Sequence, residues 1–321
     1  MNKKKKKIKF HRIRLASLLI VFTLFFTGQV LGQTIESLRA PLTFFMLNDM
    51  GRNGYYRQQP MAETIGEMAE VIGPECIIAA GDIHHFDGVQ STQDPLWLTD
   101  FEMIYRHPEL MIAWHPVCGN HEYRGNTKAV LDYSQVSRRW QMPEKYYTRV
   151  YNKKGVSVRI VWLDTTPLIS RYRKNQETNP DAVKEDDEKQ LQWLDETLQN
   201  AKEQWIIVVG HHPIYAYTNK PKSERTDMQQ RVDTILRRYA VDIYACGHIH
   251  TFQHIQHKGS DIDYVVNSSP SLARTQVEAI EGTKFYSADE GFSVISATKE
   301  TLVLSMVNYE GKIIHQITRK K

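Results

Sequence analysis

The sequence predicts an α/β fold in which helices cover the core sheets. Two observations carry that prediction. Short apolar runs alternate with amphipathic stretches of helix length in the first part of the chain, and strand-like runs then dominate towards its end. No internal repeat interrupts the pattern.

The elements follow in order. "LTFFML" (42–47) reads as a buried strand. Residues 58–72 read as a helix, because Met61, Ile65, Met68 and Ile72 fall on one stripe. "CIIAA" is the next strand, followed by a helical stretch near 95–106 and the apolar run "LMIAWHPVC" (110–118). "VRIVWLD" (158–164) and "WIIVV" (205–209) are strands, separated by a helix over 187–200 with Leu191, Leu194 and Leu198 on one face. A helix over 225–239 turns Met228, Val232, Ile235, Leu236 and Tyr239 inward, and "VDIYAC" is a strand. "DIDYVVN", "FSVISA" and "TLVLSMV" then predict an antiparallel C-terminal part. The one long polar excursion, 170–189, reads as a functional or mobile loop.

Residues 1–32 stand apart. They hold eight Lys/Arg and no acid, then an apolar run from Leu15 to Phe26 and a small-residue stretch. This is the layout of a signal peptide, with cleavage expected near Gln33 and an N-terminal membrane anchor as the alternative. Residues 33–321 are expected to form one domain, secreted or periplasmic, with no stable membrane association after cleavage and a monomer as the simplest reading. Of 41 Lys/Arg and 37 Asp/Glu, removal of the leader leaves 33 bases against the same 37 acids. The net charge of +4 therefore belongs to the leader and gives no hint of nucleic-acid binding. Cys76, Cys118 and Cys246 all lie in or beside apolar runs and read as buried thiols, with one disulfide pair as the alternative.

The chemistry sits at the ends of the apolar runs. Asp49 follows "FFML-N". Asp82 and His85 follow "CIIAAG", Asn120 and His121 follow "HPVCG", His211 follows "WIIVVG", and His248 and His250 follow "IYACG". A lone His-x-His or Gly-Asp is most often a turn. Five in series, each with a glycine nearby, place carboxylate, imidazole and amide donors at the sheet edge where α/β proteins bind ligands. Such donors suit iron, manganese or zinc, and two cations sharing one carboxylate suit phosphoryl transfer to water.

The series "ND", "GDIHHF", "GNHEY", "GHHP" and "GHIH" resembles the calcineurin-like metallophosphoesterases, and among them the mammalian-type purple (tartrate-resistant) acid phosphatases. The resemblance covers roughly residues 42–310 and includes "SQVSRRWQMPEKYY" and "VWLDTTPL". It implies a four-layer α/β/β/α sandwich of two mixed sheets flanked by helices. It also implies two metal ions, iron paired with iron, zinc or manganese. Asp49, Asp82, His85 and His250 would hold the first ion, and Asn120, His211 and His248 the second, with Asp82 bridging. His121 would face the substrate. The implied reaction is hydrolysis of small phosphomonoesters, with a metal-bound hydroxide attacking phosphorus in line and His121 protonating the leaving oxygen. The family's tyrosine, whose phenolate colours the ferric site, is replaced here by His85. His84 is the alternative ligand, but in an extended segment it points to the opposite face. On the loop 215–227, Tyr217 and Lys220 are either solvated or in contact with phosphate. A phosphodiesterase or nucleotide hydrolase with the same metals is the first rival, and a non-catalytic metal-binding protein the second.

Overall fold

The computed structural model describes residues 35–321; the expected leader and its cleavage point lie outside them. Among the described residues, thirteen strands form two mixed sheets. In the first sheet, β1 (Leu42–Leu47) pairs in parallel with β2 (Cys76–Ala79), which pairs in parallel with β3 (Trp114–Pro116). Its other side is antiparallel: β11 (Gly291–Ala297) joins β1, followed by β12 (Thr301–Asn308) and β13 (Ile313–Lys320).

The second sheet has the parallel core β5 (Val156–Trp162), β6 (Trp205–Val209), β7 (Ile243–Cys246) and β9 (Asp263–Val266). Antiparallel strands flank it: β4 (Tyr147–Lys153) beside β5, and β8 (Phe252–Gln256) then β10 (Thr283–Ser287) beside β9. Every residue of β1, β2, β6, β7 and β9 is buried. These runs lack polar alternation because both faces are covered.

The helix Gln58–Ile72 buries the expected stripe of Met61, Ile65, Met68 and Ile72 and ends at Gly73, whose φ of 67° closes it in the left-handed conformation. The helix Asp187–Gln199 is capped by Asp186, whose side chain accepts from the Lys189 N–H, and buries Leu194 and Leu198. The expected helix over 225–239 is divided. A regular stretch, Lys222–Met228, passes through a wider turn, Gln229–Asp233, into Thr234–Leu236, yet Met228, Val232, Ile235 and Leu236 remain buried.

Two expectations change. The C-terminal part is antiparallel except for β9, which returns through the β8–β9 hairpin to lie parallel to β7. The excursion 170–189 is a docked segment. It contains the short helix Ser170–Lys174 and the turn Ala182–Lys184, and the Ser170 N–H donates to Asp227 at 2.7 Å while the Thr127 hydroxyl donates to Asp181 at 2.8 Å. All three cysteines are buried free thiols.

The sheets are tied together by specific contacts. Tyr151 of β4 packs edge-on to Phe44 of β1 at 4.9 Å, and the Trp205 indole N–H of β6 donates to the carbonyl of Thr298, just past β11, at 2.8 Å. At the ligand-bearing edge, Tyr123, beyond β3, donates its hydroxyl to Asp164, beyond β5, at 2.5 Å. Burial pushes the Asp164 carboxyl up to about 7, outweighing the lowering effects of Lys145 and the Tyr123 hydrogen bond.

A carboxyl raised on folding binds its proton more tightly in the folded chain. Its stabilising contribution is complete below the unfolded value near 3.9 and lost as pH rises through about 7. Asp164→Asn should therefore flatten the fall in stability between about pH 4 and 7, by up to about 1.4 kcal/mol per pH unit. Denaturant unfolding of the metal-free protein across that range checks this; an unchanged slope would show that Asp164 is already ionised when folded.

Candidate metal centre

β1, β2, β6 and β7 run parallel within their sheets, and their carboxyl ends meet at one edge between the two sheets. Asp49, Asp82, His248 and His250 each have positive φ, at 52°, 52°, 71° and 58°. None is glycine, so each such residue costs about 1–3 kcal/mol of strain. The surrounding bonds enforce it. The Asp49 N–H donates to the Gly81 carbonyl at 2.9 Å, and the Asp49 carbonyl accepts from the hydroxyls of Ser269 and Ser271 at 2.8 and 3.2 Å. Glycine is required at two points of close approach. A Cβ at Gly119 would lie 2.2 Å from Asp82 Oδ1, and one at Gly247 2.5 Å from Asp49 Oδ2.

Each aspartate uses one oxygen to hold the backbone and turns the other inward. Asp49 Oδ2 accepts from the His248 N–H at 2.7 Å and the Asn48 amide at 2.8 Å, and Oδ1 lies 3.0 Å from His250 Nε2. Asp82 Oδ1 accepts from the His121 N–H at 2.8 Å. Its Oδ2 lies 3.0 Å from His211 Nε2, 3.7 Å from His121 Nε2 and 3.8 Å from His85 Nε2.

The imidazoles are aimed by their other nitrogens. His211 Nδ1 is 2.9 Å from the Ala80 carbonyl, His250 Nδ1 2.7 Å from that of Leu272, and His121 Nδ1 2.5 Å from that of Phe86. A neutral ring donating from Nδ1 presents a lone pair at Nε2. His248 is held the other way round: its Nε2 is 3.1 Å from Glu224 and its Nδ1 3.1 Å from His211 Nε2.

The protonation pattern suits cations. Burial alone would raise Asp49 and Asp82, but His250 and His211 hold Asp49, and His211 and His121 hold Asp82, well below the usual carboxylate range. Burial lowers His85, His121 and His248, which are therefore neutral near pH 7. For His211 burial is outweighed by Asp82 and Asp49, which raise it to about 9. Anionic carboxylates and mostly neutral imidazoles are the forms metals bind.

The donor set also fits two ions by what it leaves unsatisfied. Asp49 Oδ1, both ring nitrogens of His85 and the amide oxygen of Asn120 are buried without a hydrogen-bond partner. Donor atoms of Asp49, His85 and His250 lie within 4.8 Å of one another, as do those of Asp49, Asp82 and His211, and those of Asp82, His85 and His121. Polar atoms that are both bare and gathered at one point call for a ligand, whereas the equally bare nitrogens of His84 lie outside these groups.

The structure separates the two adjacent histidines. His85 turns towards Asp49 and Asp82. His84 lies edge-on against Trp97 at 4.3 Å, with Nδ1 3.9 Å from Glu122, and burial draws it down to about 3. His212 is a neighbour that sequence reasoning passed over. Its donor groups with His211 and His248, but its Nδ1 is 2.9 Å from the Thr165 hydroxyl and its ring faces Tyr172.

Three further contributors went unassigned in the sequence. Glu122, inside "GNHEY", is fully buried and accepts the N–H groups of Asp82, Ile83, His84 and Gly119 at 2.7–3.1 Å. The run "NSSPS" after β9 ties Asp49 in place, and Asn267 donates to Asn48 Oδ1 at 2.6 Å. Glu224 backs His248. An acid inside a ligand motif and a small-polar run straight after an apolar strand were the available signals; Glu224 had none.

Residues 42–252 match the family described as calcineurin-like phosphoesterase. The tartrate-resistant acid phosphatase type 5 of Oryctolagus cuniculus is 28% identical over 270 residues, spanning 80% of this chain and 82% of its own. Purple acid phosphatase 17 of Arabidopsis thaliana is 26% identical over 338 residues, spanning 100% and 98%. Among solved structures, GAP50 of Plasmodium, described as the anchor in the inner membrane complex, matches with a TM-score of 0.74 at 22% identity over 87% of this chain and 88% of its own. The yellow lupin purple acid phosphatase PPD1 matches with a TM-score of 0.60 at 14% identity, over 87% and 53%. At these identities the structural likeness shows the fold.

Glu122→Ala would leave four buried N–H groups without their acceptor. The metal-free protein should lose about 3–5 kcal/mol of stability in urea unfolding. A loss under about 1 kcal/mol would show that the Asp82 turn stands without this carboxylate.

Proposed function

Because the chain belongs to the calcineurin-like phosphoesterase family, we propose that it is a dinuclear-metal hydrolase of phosphomonoesters. The observation that carries the reading is Asp82 Oδ2, a single oxygen within 3.0–3.8 Å of imidazoles from three different loops. In this reading Asp49, Asp82, His85 and His250 hold one ion, and Asp82, Asn120, His211 and His248 the other. The metals are iron with iron, zinc or manganese. When bound, such ions lower the pKa of a water and offset charge on the phosphoryl group.

His121 is the general acid in its doubly protonated form, which its lowered pKa confines to acidic pH. Its Nδ1 is fixed by the Phe86 carbonyl, which leaves Nε2 at the site with a side chain 12% exposed, enough to meet a substrate. Lys220 turns inward, its ammonium 3.4 Å from His248 Nδ1, and the Arg52 guanidinium sits over the Phe86 ring at 5.0 Å. These two cations, both close to the Asp49 and Asp82 carboxylates, draw in the ester's anionic oxygens. A 440 Å³ pocket lined by Arg52, Asn53, Tyr55, Tyr56, His85 and Phe86 opens beside His121 and receives the leaving group. The export of the mature chain, after cleavage near Gln33, belongs to the same proposal, and N-terminal sequencing of the protein from its native host tests it.

Assay of paired mono- and diesters on metal-loaded protein tests the class; preference for the diester would sink the monoesterase reading. His121→Ala should keep both metals and lose about 10²–10⁴ in rate on an alkyl phosphate, and much less on an aryl phosphate whose leaving group needs little protonation. Equal losses on both esters would remove His121 from the acid role.

The iron-loaded wild type should lack a phenolate-to-iron visible band. His85 supplies imidazole where a phenolate would stand, and Tyr123 is committed to Asp164. His85→Tyr should gain the band and His84→Tyr should not, since His84 packs against Trp97. A visible spectrum at matched iron content decides; a band in the wild type would refute His85 as the ligand.

A further inference from the structure

Glu224 lies on the helix Lys222–Met228, is 2% exposed, and belongs to none of the strand-end motifs. Its Oε2 is 3.1 Å from His248 Nε2. Its other oxygen accepts from Arg171 Nη1 at 2.8 Å and from the Tyr172 hydroxyl at 3.1 Å, both from the excursion 170–189. Three residues after Glu224, Asp227 accepts the Ser170 N–H at 2.7 Å. The excursion therefore grips the helix at the residue that touches His248.

A neutral imidazole carries one N–H. With Glu224 accepting at Nε2, the proton must sit there and the lone pair at Nδ1. That lone pair faces His211 Nε2 at 3.1 Å, and His211 is already aimed by its bond to the Ala80 carbonyl. The Lys220 ammonium lies 3.4 Å from the same lone pair, so this nitrogen is held open for a shared proton or a cation.

We propose that Glu224 is a positioning residue that fixes the tautomer and angle of His248 for the second metal, and that segment 170–189 acts as its clamp through Arg171 and Tyr172. The segment is tied down along its length: Arg173 pairs with Asp187 at 3.2 Å, and Lys145 with Glu185 at 2.5 Å. Metal retention is thereby coupled to a segment that carries no metal ligand. The inference rests on the dinuclear reading above.

The test is titration of metal-free protein with Zn²⁺ against a competing chelator. Wild type should bind two equivalents. Glu224→Gln should weaken one of them about 10–100-fold and leave the other near its wild-type constant, the usual effect of removing an outer-shell carboxylate. Arg171 is 46% exposed at its side chain, so Arg171→Ala should fold normally, and it should weaken the same equivalent several-fold. The double variant should be no weaker than Glu224→Gln alone, because Arg171 acts through Glu224. Unchanged zinc constants in Glu224→Gln, or additive losses in the double variant, overturn the clamp. A wild type that binds fewer than two equivalents overturns the dinuclear reading itself and the clamp with it.

Discussion

A single buried carboxylate sets the two turns that carry Asp82 and Asn120 against each other. Glu122 gathers the N–H groups at residues 82, 83, 84 and 119, and so locks the turn after β2 to the turn after β3. Together with the His121 N–H bond to Asp82 Oδ1, that lock fixes Asp82 and Asn120 relative to each other. Burial and the nearby Asp82 charge raise Glu122 to about 7, against the lowering pull of its backbone donors. The carboxylate is thus held by geometry rather than by any preference of its charge for the interior.

The same economy of fixed partners runs through the centre. Backbone carbonyls aim three imidazoles, one oxygen of each aspartate braces a turn, and a belt of asparagine and serine residues holds the left-handed Asp49. What remains unbraced is the set of atoms directed at the cations. Fixing the bracing atoms first lets weak, long contacts such as His85 to Asp82 at 3.8 Å stand without a mutual hydrogen bond.

Much of this was legible in the sequence because buried parallel strands advertise themselves. β1, β2, β6 and β7 are continuous apolar runs, and the residue types that follow them announce donors. The strands that escaped notice, β4, β8, β10 and β13, carry polar side chains at or near sheet edges and lack a continuous apolar signal. Glu224 escaped for another reason: it meets His248 across 24 positions and two elements, a proximity no local pattern encodes. His84 and His85 could be ranked by alternation, but only the Trp97 ring explains where His84 goes.

The four left-handed residues at the strand ends set the terms on which this lineage could change trade. Aspartate and histidine in that conformation weigh against the fold, and around Asp49 it is bonds from Gly81, Ser269 and Ser271 that hold it there. A descendant released from hydrolysis would gain stability from glycine or asparagine at positions 49, 82, 248 and 250, so drift would erase the centre from the backbone outward. The scaffold would survive that erasure, because its sandwich is held by strands and edge contacts that owe nothing to metal. The fold is thus suited to outlast its chemistry, and the strain at these four positions is what a chain freed of that chemistry would shed first.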